Sequence, residues 1–117
     1  MPTKIQKIRS SAFARQAGRC HYCRAEMWQG DPDHFVRRHG LTRREAMRFM
    51  CTAEHLQARC EGGKDAAPNI VAACLFCNRM RHARARPLNP ERYKAHVARR
   101  LQRDGWHGRQ FRHLLAT

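Results

Sequence analysis

Two cysteine pairs of identical spacing, Cys20-His21-Tyr22-Cys23 and Cys74-Leu75-Phe76-Cys77, constrain this chain more than any other feature. A Cys-x-x-Cys turn lets both sulfurs reach one ion, and two such turns complete a tetrahedral zinc shell with bonds of about 2.3 Å. Four protein ligands leave no open position, so the zinc expected at Cys20, Cys23, Cys74 and Cys77 is structural. The separation between the pairs exceeds that of a short zinc ribbon, so the fold has to bring distant segments together. A disulfide framework and a Cys-x-x-Cys redox site are the rival readings of the same residues. With 117 residues the chain has room for one domain and a modest core, a size at which a staple matters. Cys51 and Cys60 fall outside the set and read as small buried hydrophobes or an oxidisable pair.

Lys and Arg number 24 against 9 Asp and Glu, a formal charge of +15. Such a charge repels itself in a compact chain unless a polyanion is near. Nucleic acid is therefore the leading partner class, ahead of a merely basic surface. No apolar run approaches the ~20 residues that span a bilayer, and Met1-Pro-Thr-Lys-Ile-Gln-Lys7 has no apolar signal core. The expected location is cytoplasmic or nucleoid-associated, neither secreted nor in a membrane. In such a reducing setting paired cysteines read first as metal ligands.

The pattern predicts a single α+β domain over 1–117, with its core motif at 49–86 and a C-terminal helix and tail at 89–117. A first helix runs from Ser10-Ser11 to Ala17, with Gly18 as its stop. Residues 24–41 read as irregular, with a turn at Gly30-Asp-Pro-Asp33 and a short helical piece at Phe35–His39. Thr42 followed by Glu45 is a capping-box pattern that starts a helix over 43–48. Strands are expected at 49–55 and at Asn69–Cys74, separated by a loop at Gly62-Gly63. A helix then runs from Leu75 to Arg86, where Pro87 stops it. Asn89-Pro90-Glu91 opens the last helix, which continues to Asp104 and presents Tyr93, Val97 and Leu101 at helical spacing. The tail Trp106–Thr117 reads as a docking turn carrying Phe111, Leu114 and Leu115.

Within 51–82 the chain sets Glu54 beside His55, then Gly62-Gly63, Asn69, Cys74-x-x-Cys77-Asn78 and His82. This order resembles the HNH nuclease family. The resemblance implies a ββα-metal (His-Me finger) unit: two short strands and a helix around a divalent cation, here with flanking helices and a zinc staple. It implies His55 as the general base acting on water, and Asn69 as the residue that holds the loop and orients His55. Glu54 and Asn78 would be ligands of a catalytic Mg²⁺ or Mn²⁺, with His82 as a third. The product would be DNA cut to leave a 5′-phosphate, the cation stabilising the leaving 3′ oxygen. Two features depart from the commonest family pattern: Glu54 stands where aspartate is usual, and Asn78 makes this an H-N-N form. Strand geometry turns Glu54 and His55 to opposite faces, so they share one cleft only if the strand ends there.

Physical chemistry supports those assignments in kind. A histidine, mostly neutral near pH 7, accepts a proton from water, and Mg²⁺ prefers oxygen ligands. Arginine forks match phosphate oxygens. Arg79, Arg81, Arg84 and Arg86 beside the site, and Arg37, Arg38, Arg43 and Arg44 ahead of the first strand, are the expected nucleic-acid contacts. No segment reads as a base-reading module, and the basic runs lack stacking aromatics. The expected partner is double-stranded DNA with weak sequence preference. The alternative is a non-catalytic zinc-stabilised nucleic-acid-binding module, which has no use for an acid–histidine pair and Asn78. A zinc deaminase is a weaker rival, since Ala53-Glu54-His55 does not provide the His-x-Glu order.

Overall fold

The computed structural model describes residues 1–116; Thr117, the last residue of the expected docking turn, lies outside them. In chain order the elements are α1 (Lys4–Arg15), α2 (Asp33–His39), α3 (Arg43–Met47), β1 (Cys51–His55), β2 (Ile70–Cys74), α4 (Leu75–His82) and α5 (Pro90–Gln102). A 3-10 turn at Arg109–Leu114 follows. The strands pair antiparallel, Cys51 opposite Cys74 and His55 opposite Ile70. A two-stranded ribbon is marginal by itself. Here α1 packs across both strands, and α4, which leaves β2 without a loop, packs back on both.

The first helix starts earlier than the sequence reading placed it. Thr3 Oγ1 accepts from Gln6 N at 3.2 Å while Gln6 Oε1 accepts from Thr3 N at 2.8 Å. This capping box secures the helix two turns before Ser10. At its other end the Gln16 amide joins the sheet: Nε2 donates to Ala72 O at 2.8 Å, and Oε1 accepts from Ala72 N at 2.9 Å. Thr42 and Glu45 form the capping box that opens α3.

The helix after β2 ends at His82, short of Arg86. Arg81 is the cause. Its Nε donates to Leu88 O at 3.1 Å, which requires the chain to fold back over the helix end. Pro87 reinforces this by disfavouring helical backbone at Arg86.

The core is aromatic and centres on the cysteine cluster. Tyr22 meets Tyr93 edge to face at 4.8 Å, and Trp106 meets Phe76 at 5.1 Å. Tyr93 and Val97 of α5, with Phe111 and Leu114 of the tail, are buried in it. Arg48 stacks 3.5 Å over the Phe76 ring and donates to His107 Nδ1 at 2.8 Å. Among the described residues no helix is long and apolar enough to cross a membrane.

Candidate functional site

Cys20 and Cys23 lie on a turn after α1, and Cys74 and Cys77 at the junction of β2 and α4. All four are buried, and their sulfurs lie within 4.8 Å of one another, with Cys23 Sγ and Cys74 Sγ 3.9 Å apart. Four sulfurs at 2.3 Å from a tetrahedral ion would stand about 3.8 Å apart, so the donor set fits a metal such as zinc. All six cysteines are free thiols, which removes the disulfide reading.

Backbone and indole N–H groups converge on the sulfurs. Cys20 Sγ accepts from Cys74 N at 3.3 Å, and Cys77 Sγ accepts from Trp106 Nε1 at 3.2 Å. Burial pushes the Cys74 and Cys77 thiols well above the usual value. Burial opposes ionisation of Cys20 as well, but hydrogen bonds from the other three cysteines draw it well below. A buried set of thiolates needs a cation to neutralise it. Cys51 stands apart, its thiol pushed up to about 11 by burial. Cys60 is exposed, which overturns the reading of it as a buried hydrophobe.

Glu54 is the second organising group. Its carboxylate is buried and fully engaged: Oε2 accepts from Tyr22 Oη at 2.9 Å and from Arg81 Nη1 at 3.0 Å, and Oε1 lies 2.8 Å from His82 Nε2. Arg81 also donates to the carbonyls of His55 and Leu56, each at 3.1 Å. This corrects the assignment of Arg81 to nucleic acid. The side chain is 6% exposed, and its guanidinium neutralises Glu54 and ties down the end of β1. Helical geometry explains the split between Arg79 and Arg81, since positions two apart face away from each other.

β1 ends at His55, and Glu54, His55, Asn78 and His82 all line one cleft of about 480 Å³. Asn78 donates from Nδ2 to Thr52 Oγ1 at 3.0 Å. His55 Nε2 lies 2.7 Å from Asp65 Oδ1, and Arg59 grips the same carboxylate with Nε and Nη2, both at 3.0 Å. Its hydrogen bond with His55, and then Arg59, hold the Asp65 carboxyl below its ordinary value. Asn69 touches the loop instead of His55. It accepts from Gln57 N at 2.8 Å and donates to the carbonyls of Gln57 and Lys64 at 3.0 Å. Gly63 lies so close to Gln57 that a Cβ would overlap that residue's carbonyl.

Among the described residues the four cysteines are the one group of three or more His, Cys, Asp or Glu donors brought together. Glu54 and His82 form a pair, to which Asn78 adds an amide. Arg37, Arg38, Arg43, Arg44, Arg79, Arg84 and Arg86 are exposed. Arg38 pairs with Glu26 at 3.5 Å, and Arg43 pairs with Asp33. None of these seven lines the cleft, where Arg59 is the basic residue, with Lys4 and Lys64 on the adjoining surface. Sequence reasoning missed Tyr22, Arg59 and Asp65 as members of the site. The Gly62-Gly63 turn was the available signal, because it returns the chain toward His55. Compared with protein-family models, with curated proteins and with solved structures, the chain finds no significant match in any of the three.

Proposed function

We propose that this protein is a zinc-stapled endonuclease of the HNH type that hydrolyses DNA phosphodiester bonds. The observation that carries the reading is the meeting of Glu54 and His55, from the end of β1, with Asn78 and His82 of α4 at one cleft. That is a strand–strand–helix unit with an acid, a base and an amide in the order the HNH resemblance requires. His55 takes the proton of the attacking water. Glu54 Oε1 and His82 Nε2 are hydrogen-bonded at 2.8 Å, so a shared ion would displace that hydrogen, and Asn78 would add its amide oxygen, since its nitrogen is engaged with Thr52. Mg²⁺ or Mn²⁺ bound there supplies charge stabilisation at the leaving 3′ oxygen. The Cys20/Cys23/Cys74/Cys77 zinc does no chemistry and holds β2 and α4 to the turn after α1. Exposed arginines and the +15 charge attract duplex DNA with weak sequence preference.

One observation favours a second reading, a zinc-stabilised nucleic-acid-binding module without catalysis. Arg81 already neutralises Glu54, which weakens the attraction of the cleft for a divalent cation. Incubating supercoiled plasmid with the protein and Mg²⁺, Mn²⁺ or EDTA separates the two. The nuclease reading expects nicked or linear product that EDTA abolishes. Binding without cleavage under every metal condition selects the module.

A further inference from the structure

We infer that Asp65 is a positioning residue for His55, holding the imidazole by Nε2–H and leaving Nδ1 as the nitrogen that accepts a proton. The role of that proton rests on the nuclease reading above; the tautomer does not. Arg59 meets Asp65 with two donors, Nε to Oδ1 and Nη2 to Oδ2, both at 3.0 Å. A carboxylate in such a fork is ionised and only accepts hydrogen bonds. The hydrogen in the 2.7 Å contact between His55 Nε2 and Asp65 Oδ1 therefore sits on Nε2. The other tautomer would press a nitrogen lone pair against a carboxylate oxygen at that distance. Arg59 Nε lies 3.3 Å from His55 Nε2 and 3.0 Å from Asp65 Oδ1, and its hydrogen goes to the closer, charged oxygen.

The loop is built to hold Asp65 there. Gly63 N donates to Ala58 O at 2.9 Å, a close approach open only to glycine, and it folds the chain back toward the end of β1. Asn69 then fixes Lys64 O at 3.0 Å while clasping Gln57 by both its N–H and its carbonyl. The residue after Lys64 is Asp65. Asn69 thus acts on His55 through Lys64 and Asp65, without touching the ring. A ring held at one nitrogen by an ionised carboxylate keeps one tautomer and one orientation, as a general base requires.

The test uses the zinc-loaded full chain and two readouts. Side-chain ¹⁵N NMR should show His55 as the Nε2–H tautomer in the parent and as a mixture in Asp65→Ala. Asp65→Asn keeps the volume, and its amide can donate or accept, so it should also give a mixture; it serves where Asp65→Ala does not fold. In cleavage, Asp65→Ala should lower kcat about 10²-fold with KM unchanged, and Asp65→Glu should recover part of it. Because Asp65 acts through His55, adding Asp65→Ala to His55→Ala should cost nothing further. A parent His55 found as Nδ1–H overturns the inference. So does a loss from Asp65→Ala that is as large in the His55→Ala background as in the parent. A parent that cuts no DNA sinks the nuclease reading, and the NMR result then still decides the place of Asp65.

Discussion

Tyr22 Oη lies 2.9 Å from Glu54 Oε2, so the turn that carries two of the cysteine ligands also holds the buried acid of the cleft. Burial and then the Glu54 charge push the Tyr22 hydroxyl far above its usual pKa, so it stays a neutral donor. Arg81 binds the same oxygen from the other side at 3.0 Å. The cysteine cluster and the cleft are thus linked through the Glu54 carboxylate.

Zinc content should therefore track folding. Cys74→Ser should lose most of its bound zinc and unfold, because ligation free energy in a domain this small is folding free energy. Cys60→Ser, at an exposed thiol, should change neither. Metal analysis and thermal melts check both, and a Cys74→Ser protein with full zinc and a parental melt would refute the assignment.

Removing Arg81 should be far worse than removing Arg79. Arg81→Ala leaves Glu54 buried without its cation, a loss of about 3–5 kcal/mol. Arg79→Ala, on the exposed side of the same helix, should stay within about 0.5 kcal/mol. Tyr22→Phe deletes one neutral donor and should cost about 1–3 kcal/mol. Urea unfolding of the three variants orders them.

His55→Ala should lower the cleavage rate by about 10²–10⁴-fold while DNA affinity is kept. A variant that cuts at the parental rate would remove His55 from the mechanism and leave the binding module as the better account. Titration of labelled duplex alongside the cleavage assay makes the comparison.

DNA affinity should fall with salt at a log–log slope of about −0.9 per phosphate contact, about −5 for six contacts. Arg79→Ala or Arg84→Ala should each reduce the slope by about one. A flat response between low and moderate salt would count against an electrostatic interface.

Mild acid should destabilise the protein through His107. Burial, and then Arg48, lower its pKa from 6.5 to about 4. The unfolded chain therefore takes the proton first. Stability present above pH 6.5 is lost as pH falls toward 4, amounting to about 2 kcal/mol at pH 5. His107→Gln keeps an acceptor for Arg48 and removes the titration. Its melting temperature should drop less between pH 7 and pH 5 than the parent's, and equal drops would exclude His107 as the cause.

Local chemistry was legible in the sequence wherever one short segment decides the outcome. Two Cys-x-x-Cys turns announced the cysteine cluster, Thr42 and Glu45 the cap of α3, and Gly62-Gly63 the loop between the strands. The capping box at Thr3 and Gln6 is equally local, set within a basic run. Other outcomes depended on tertiary structure. Arg79 and Arg81 are the same residue type two positions apart, and only packing on β1 sends one to solvent and the other to Glu54. Asp65 lies ten residues from His55 in the chain, and Asn69, Gly63 and Arg59 bring the two within 2.7 Å. Sequence periodicity reports which face of an element a residue occupies, but not which charge waits on the neighbouring element. The need to neutralise an acid in the core made Arg81 structural, whereas His55 met its carboxylate because the loop returns Asp65 and Arg59 to the end of β1.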